Sequence, residues 1–375
     1  MGKISVASVL FFIVSGLLLS SDSRGENQQP PVVTLVEKLR IDDQEGNFYF
    51  KYPQAPVIDS RGFIFVMDRD QVLMFSPSGS LIRNFFKEGL GPGEMTDACG
   101  VVAQEDLIVI CNRNPHKLLW FDRSGTLQKE QPISARLGYA DLLTYYRQRF
   151  YFLREQFRKT KGKAVFLDIK VRLLSSGPND REPRFENIWF PKKYFVRDTN
   201  WIKNVHFVQI GTAGDDTVYI AHNGNYDIKR LSLENMRLSP FIQKDYQKVK
   251  IKEEWKKILK PFRFPHQGIK GKEYRTFEYE VLDDVQRIFV NGDKIWIITS
   301  TFDDHSRLVG VDVYDPAGKP RGRLRLQMSA GIYLFKMSYT PMTFHSTGLY
   351  VFETNEEGDL ELARYLLNNV PPWAK

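Results

Sequence analysis

The sequence predicts an all-β protein in which one four-stranded antiparallel unit recurs six times around a ring, and three observations predict it. A strand pair ending in a glycine turn returns every 40 to 50 residues or so, the period of ring-forming β repeats. Aromatic residues make up 13% of the 375-residue chain, with 26 Gly and 19 Pro spread along it, a composition of many short strands joined by turns. The last unit also runs out of chain one strand early, while a strand pattern near the N-terminus has no partner of its own.

The chain opens with Lys3 and an apolar run from Ile4 to Leu19, followed by Ser20, Ser21, Ser23 and Gly25. A basic start, an apolar core and a small-residue exit describe a secretory signal peptide over residues 1–25, with an uncleaved anchor as the alternative. Residues 26–33 are polar and Pro-containing and read as a disordered lead-in to a ring over 34–370. The mature chain then has no transmembrane segment and is expected to be periplasmic or extracellular.

The strand Thr34–Ile41 comes first. Three units after it align by eye: Phe63–Asp68 with Val72–Phe75 and Gly79, Leu107–Asn112 with Leu118–Phe121 and Gly125, and Ile295–Thr299 with Val309–Tyr314 and Gly318. Each turn has the form aromatic-x-x-Ser/Ala-Gly, where glycine supplies the positive φ of a tight hairpin. Weaker copies are Phe150–Arg154 with Ala164–Ile169, Val218–His222 with Asp227–Leu231, and Leu349–Glu353 with Leu360–Tyr365. Thr34–Ile41 supplies the missing strand of the last unit and closes the ring, leaving only short edges. The architecture is a six-bladed β-propeller; a β-sandwich pair, the runner-up, does not explain six copies of one hairpin.

Between units one and two stands Gly89-Leu-Gly91-Pro-Gly93-Glu94, and Asp68 ends its strand just before a Val-Leu-Met-Phe run. On these residues and the glycine turns the sequence resembles exported bacterial six-bladed β-propellers related to NHL-repeat proteins. The resemblance covers residues 34 to 367 and is strongest in units one, two and five. Unit four departs from it, with Leu233-Glu-Asn-Met where the glycine turn belongs. It implies the fold and leaves the reaction unassigned.

Without residues 1–25 the chain carries 51 basic and 44 acidic residues, a net +7. Residues 147–197 hold 14 basic against 5 acidic side chains, and residues 244–275 hold 11 against 4, so these two insertions contribute more than the whole excess. Export argues against nucleic acid and toward a protein, a glycan or a small anionic ligand, with weak contact to an anionic surface through 244–275. Within an insertion over 247–283, residues 247–263 read as a basic amphipathic helix, with Ile251, Trp255, Ile258 and Leu259 on one stripe and Pro261 ending it.

In a ring of this kind the loops after the second strands gather at one channel mouth. Asp68, Asn112, His222 and Glu353 end their strands equivalently, with Arg69, Arg113 and Arg154 nearby. Oxygen-rich convergence suits Ca²⁺, whereas the arginines favour an anionic ligand; Asp or Asn at a strand end also commonly caps its own loop. No local acid–base pair or nucleophile motif stands out. The expected function is therefore non-enzymatic binding or scaffolding at the mouth by a monomer, with a metal-dependent, lactonase-like hydrolase or lyase as the alternative. Cys99 and Cys111 bracket a hairpin centred on Glu105, which puts them opposite one another, either as a disulfide or as two free buried thiols.

Overall fold

The computed structural model describes residues 29–375 apart from 44–45, 69, 105, 135–139, 160–164, 178–179, 181–183, 198–200, 204–208, 214–215, 222–223, 259–276, 279–280, 335–336 and 338–339. The segment expected as a signal peptide lies outside the described residues. Strand β1 runs Val32–Ile41, starting two residues before the expected Thr34. A first sheet follows from β2 (Val57–Ile58), β3 (Ile64–Asp68), β4 (Gln71–Phe75) and β5 (Leu81–Asn84). The second holds β6 (Ala98–Gln104), β7 (Leu107–Arg113), β8 (His116–Asp122) and β9 (Leu127–Pro132).

The third sheet contains β10 (Ala140–Tyr146), β11 (Arg149–Lys159), β12 (Val165–Ser176), β13 (Arg184–Arg197) and β14 (Trp201–Lys203). The fourth is β15 (Gln209–Ala213), β16 (Thr217–Ala221), β17 (Asp227–Ser232) and β18 (Arg237–Gln243). Helix α1 (Glu253–Ile258) and β19 (Phe277–Glu278) come next, and β19 pairs in parallel with β14, adding a sixth strand to the third sheet.

The fifth sheet joins two antiparallel groups. One is β20 (Val285–Asn291), β21 (Lys294–Asp303), β22 (Leu308–Tyr314) and β23 (Pro320–Gln327); the other is β24 (Met342–His345), β25 (Gly348–Thr354) and β26 (Leu360–Asn368). Strand β1 lies between them. It runs antiparallel to β26, from Thr34 opposite Asn368 to Ile41 opposite Leu362, and parallel to β23 at Val32 and Val33. The N-terminal strand thus completes the last antiparallel group, as expected, and also ties it to the group before.

The continuous apolar runs exist because the second and third strands are covered on both faces. Ile64–Asp68 and Gln71–Phe75 are buried at every position. Phe65 and Met74 pack with Ile108 and Leu119 of the second sheet, whereas Ile64 and Leu73 pack with Tyr350 and Phe352. Further shared clusters join the second sheet to the third, the third to the fourth, the fourth to β20–β23, and β20–β23 to β24–β26. The chain of clusters returns to where it began.

Among the described residues one turn recurs five times and fixes the strand connections it closes. The N–H groups of Gly62, Gly79, Gly125, Gly318 and Gly358 donate to the carbonyls of Asp59, Ser76, Asp122, Asp315 and Asn355, and each glycine has φ between +80° and +95°. In each, the side-chain oxygen of the first residue also accepts the N–H four positions on, at 2.8–3.1 Å. A polar cap and a left-handed glycine together set the hairpin. In the fourth sheet Met236 takes the glycine's place at φ +54°.

Two expectations need correction. In the third sheet Phe150–Arg154 lie opposite Ser176–Arg172, not Ala164–Ile169. Strands of 11, 12 and 14 residues run past the usual length there, so Leu173 and Leu174 enter the core and Val165–Ile169 pair farther out. The helix expected over 247–263 is only Glu253–Ile258 among the described residues, because Val249 and Lys250 are held extended by Leu282 and Val281. Ile251 and Trp255 bury against Leu282, so that part of the stripe faces its own domain.

Candidate functional site

The strand-end residues expected at a channel mouth are mostly spent on their own loops. Asp68, fully buried, accepts the Lys51 N–H at 2.5 Å and the Tyr52 N–H at 2.9 Å. Asn112, also fully buried, accepts the N–H groups of Thr96 and Asp97 at 3.0 and 2.9 Å and donates to the Pro115 carbonyl at 2.7 Å. In both cases the side chain holds the segment that leads into the first strand of its own sheet. Arg113 pairs with Asp97 at 3.2 Å, and Arg154 is half-buried on β11 opposite Ala140 and Arg172. Arg69 and His222 lie outside the described residues.

Because an unpaired buried N–H costs roughly 1–3 kcal/mol, Asn112→Ala should lower stability by about 2 kcal/mol. Urea denaturation with an unchanged slope checks this. A loss well under half that size would return Asn112 to the list of candidate ligand contacts.

Glu353 has a different role. Its carboxylate accepts the Tyr365 hydroxyl at 2.8 and 2.9 Å and the Ser329 hydroxyl, and pairs with Arg40 at 3.2 Å. Arg40 also reaches Glu361 at 2.8 Å and Glu37 on its own strand. Arg40 beside it holds the Glu37 carboxyl below its ordinary value, and burial next to Glu353 pushes the Tyr365 hydroxyl up. The network pins β1 onto β25 and β26. The oxygens expected to hold Ca²⁺ at Asp68, Asn112 and Glu353 therefore accept protein donors, a poor fit to a cation. Among the described residues no group of three or more His, Cys, Asp or Glu side chains is arranged for a metal ion.

A cavity of about 830 Å³ opens at the other ends of these strands. Ile58, Asp59 and Ser60 line it from the β2–β3 turn, Ala103, Gln104, Asp106 and Leu107 from the β6–β7 turn, and Tyr145 from β10. Asp59 is the polar cap of its turn: Oδ1 accepts the Arg61 and Phe63 N–H groups, both at 2.9 Å, while Oδ2 pairs with Arg123. Arg123 lies over the Phe63 ring at 4.7 Å and reaches Asp106 at 3.7 Å, and Arg61 pairs with Asp106 at 2.9 Å. The Tyr145 ring leans on Phe150 at 4.6 Å. His345 is held below its usual pKa by burial, which the charge of Asp59 opposes.

No sequence motif marks these cavity residues as a ligand site. The one local signal is Asp59-Ser-Arg-Gly62, the same capped turn that closes the other hairpins. A second cleft of about 350 Å³, at the opposite strand ends, is lined by Asp42, Asp43, Glu357, Asp359 and Glu361 with Tyr49.

By sequence, no family model and no curated protein matches the chain. By structure, a Bacteroides fragilis protein described as exported is similar at TM-score 0.52 and 10% identity, over 90% of this chain and 96% of that one. A member of the DUF4221 family from Bacteroides vulgatus aligns at TM-score 0.46 and 11% identity, over 91% and 100%. A gluconolactonase from Xanthomonas campestris aligns at TM-score 0.42 and 11% identity, over 85% and 87%. No helix among the described residues is long and apolar enough to cross a membrane. The circuit of antiparallel sheets, each packed on the next and the last on the first, is the architecture of a β-propeller, and at TM-score 0.52 the chain shares its fold with the Bacteroides fragilis protein.

Proposed function

We propose that the chain is an exported six-bladed β-propeller that acts by binding, and that its ligand is a neutral polar molecule of the glycan class. The closed circuit of apolar clusters supports six blades, and the leader-like residues 1–25 support export. The cavity framed by Asp59, Asp106 and Tyr145 is the observation that carries the binding role. Its volume falls in the range of about 300–1,000 Å³ usual for ligand sites.

The lining sets the ligand's chemistry. Tyr145 offers an aromatic platform, and Ser60, Gln104 and Asp106 offer hydroxyl, amide and carboxylate groups to a ligand rich in hydroxyls. Arg61 and Arg123 are already engaged with carboxylates, so the site has no surplus positive charge to favour an anion. The arginine–carboxylate pairs hold turns from two sheets in place before a ligand arrives, which lowers the ordering cost of binding.

Calorimetry of the mature chain against neutral and acidic oligosaccharides tests the reading. A neutral oligosaccharide should bind, and Tyr145→Ala and Asp106→Asn should each weaken it by about tenfold. Asn112→Ala, whose side chain caps a loop at the other strand ends, should leave affinity unchanged at temperatures where that variant is folded. Binding untouched by both cavity changes, or confined to acidic oligosaccharides, would rule this site out.

A further inference from the structure

The chain has two cysteines, and the fold brings them together in a way the simple hairpin count does not give. Gln104 pairs with Leu107, so the β6–β7 turn is two residues long and Cys111 stands opposite Gly100, not opposite Cys99. The register then shifts between Ala98 and Gly100, leaving Cys99 as the extra residue of a β-bulge. Gly100 lies tight against the third sheet: a Cβ there would lie 2.3 Å from the Leu142 Cβ on β10, so no side chain is admitted at that position. The bulge instead turns Cys99 toward its partner, and the two sulfurs lie 2.7 Å apart.

We infer that Cys99 and Cys111 form a disulfide in the exported protein. Both are almost fully buried, at 2% and 3% exposure, among Val109, Leu118, Trp120, Phe150, Phe152 and Leu174. No third cysteine competes, so the pairing is unique. The oxidant is a protein or small-molecule disulfide. One cysteine thiolate attacks it to give a mixed disulfide and release a thiol. The second thiolate then displaces the other thiol and closes the Cys99–Cys111 bond. Two electrons and two protons pass from the cysteines to the oxidant.

Burial dictates the order of events. An oxidant reaches these sulfurs only before the β6–β7 hairpin packs on β10–β12, so the bond forms during folding outside the reducing cytosol. Once packed, the same burial shields it from reductants. The bond joins the start of β6 to the end of β7, beside the Asn112 cap, and secures the entry to the second sheet.

The test uses full-length chain exported by a bacterial host and denatured in guanidinium with an alkylating reagent but no reductant. No adduct is expected, a mass two hydrogens below that of the dithiol form, and a non-reduced peptide map joining Cys99 to Cys111. Reduction before alkylation should then give two adducts. A Cys99→Ser chain handled without reductant should give one adduct, which establishes that Cys111 reacts once its partner is gone. Two adducts on the unreduced parent would overturn the inference, as would linkage of either cysteine to a small thiol or to a second chain.

Discussion

Deletion of residues 26–41 is expected to yield a chain that no longer melts cooperatively as a monomer. The deletion removes β1, which pairs with β26 at seven register positions and with β23 at two. It uncovers the core around Val33 and Ile41, both nearly inaccessible in the intact chain. It also takes Arg40 away from Glu353, whose carboxylate is buried to 4% exposure. Breaking such a pair from one side commonly costs several kcal/mol, and the lost ladder and apolar burial add to it. The total rivals the roughly 5–15 kcal/mol by which proteins are stable at all. Two strand edges would be open to other chains. Size-exclusion chromatography and calorimetry read the result; a monomeric truncation melting within a few degrees of the parent would show that β1 is dispensable.

The same closure gives an acid dependence whose sign follows from Glu37. The hydrogen bond from Arg40 lowers the Glu37 carboxyl below its ordinary 4.5. Stability from that pair is therefore present above about pH 4.5 and is lost as the pH falls through the lower value of the folded state. Arg40→Ala should flatten this part of the acid limb of denaturation.

The strand framework was legible in the sequence for a physical reason. Strands buried on both faces, such as Ile64–Asp68, must read as unbroken apolar runs, and a left-handed turn position nearly demands glycine. The N-terminal strand was legible by counting, since one group lacked a strand and one strand lacked a group. The third sheet was not legible, because its strands of 11, 12 and 14 residues run longer than one unit needs, so an apolar run does not mark which residues pair. Nor was the cavity, which takes residues from the β2–β3 turn, the β6–β7 turn and β10; the one motif among them, the capped turn at Asp59, is shared with other hairpins and does not mark a ligand site. The polar strand ends read in sequence as candidate ligands, yet Asp68 and Asn112 satisfy backbone donors. A carboxylate and an amide serve both purposes equally well in a sequence; only burial and partners separate them.

Gly348→Ala is expected to be among the most damaging single substitutions, at about 4 kcal/mol, and a comparison with Gly358→Ala isolates why. Gly348 has φ +138°, and a Cβ there would lie 2.4 Å from the Tyr365 carbonyl oxygen and 3.2 Å from its carbon. The obstacle is backbone, and it has nowhere to go: Tyr365 is paired with Leu349 on one side and with Glu37 of β1 on the other, and its hydroxyl is tied to Glu353. Relief would have to come from separating β25 and β26, the strands on which ring closure depends. Gly358 also has positive φ, at +95°, but nothing lies within 4 Å of a Cβ there. Its replacement should cost only the conformational penalty of about 1 kcal/mol. Urea midpoints at unchanged slope measure both. Similar losses at the two sites would mean that φ alone governs them and that β25 and β26 yield more easily than their place in the closure implies.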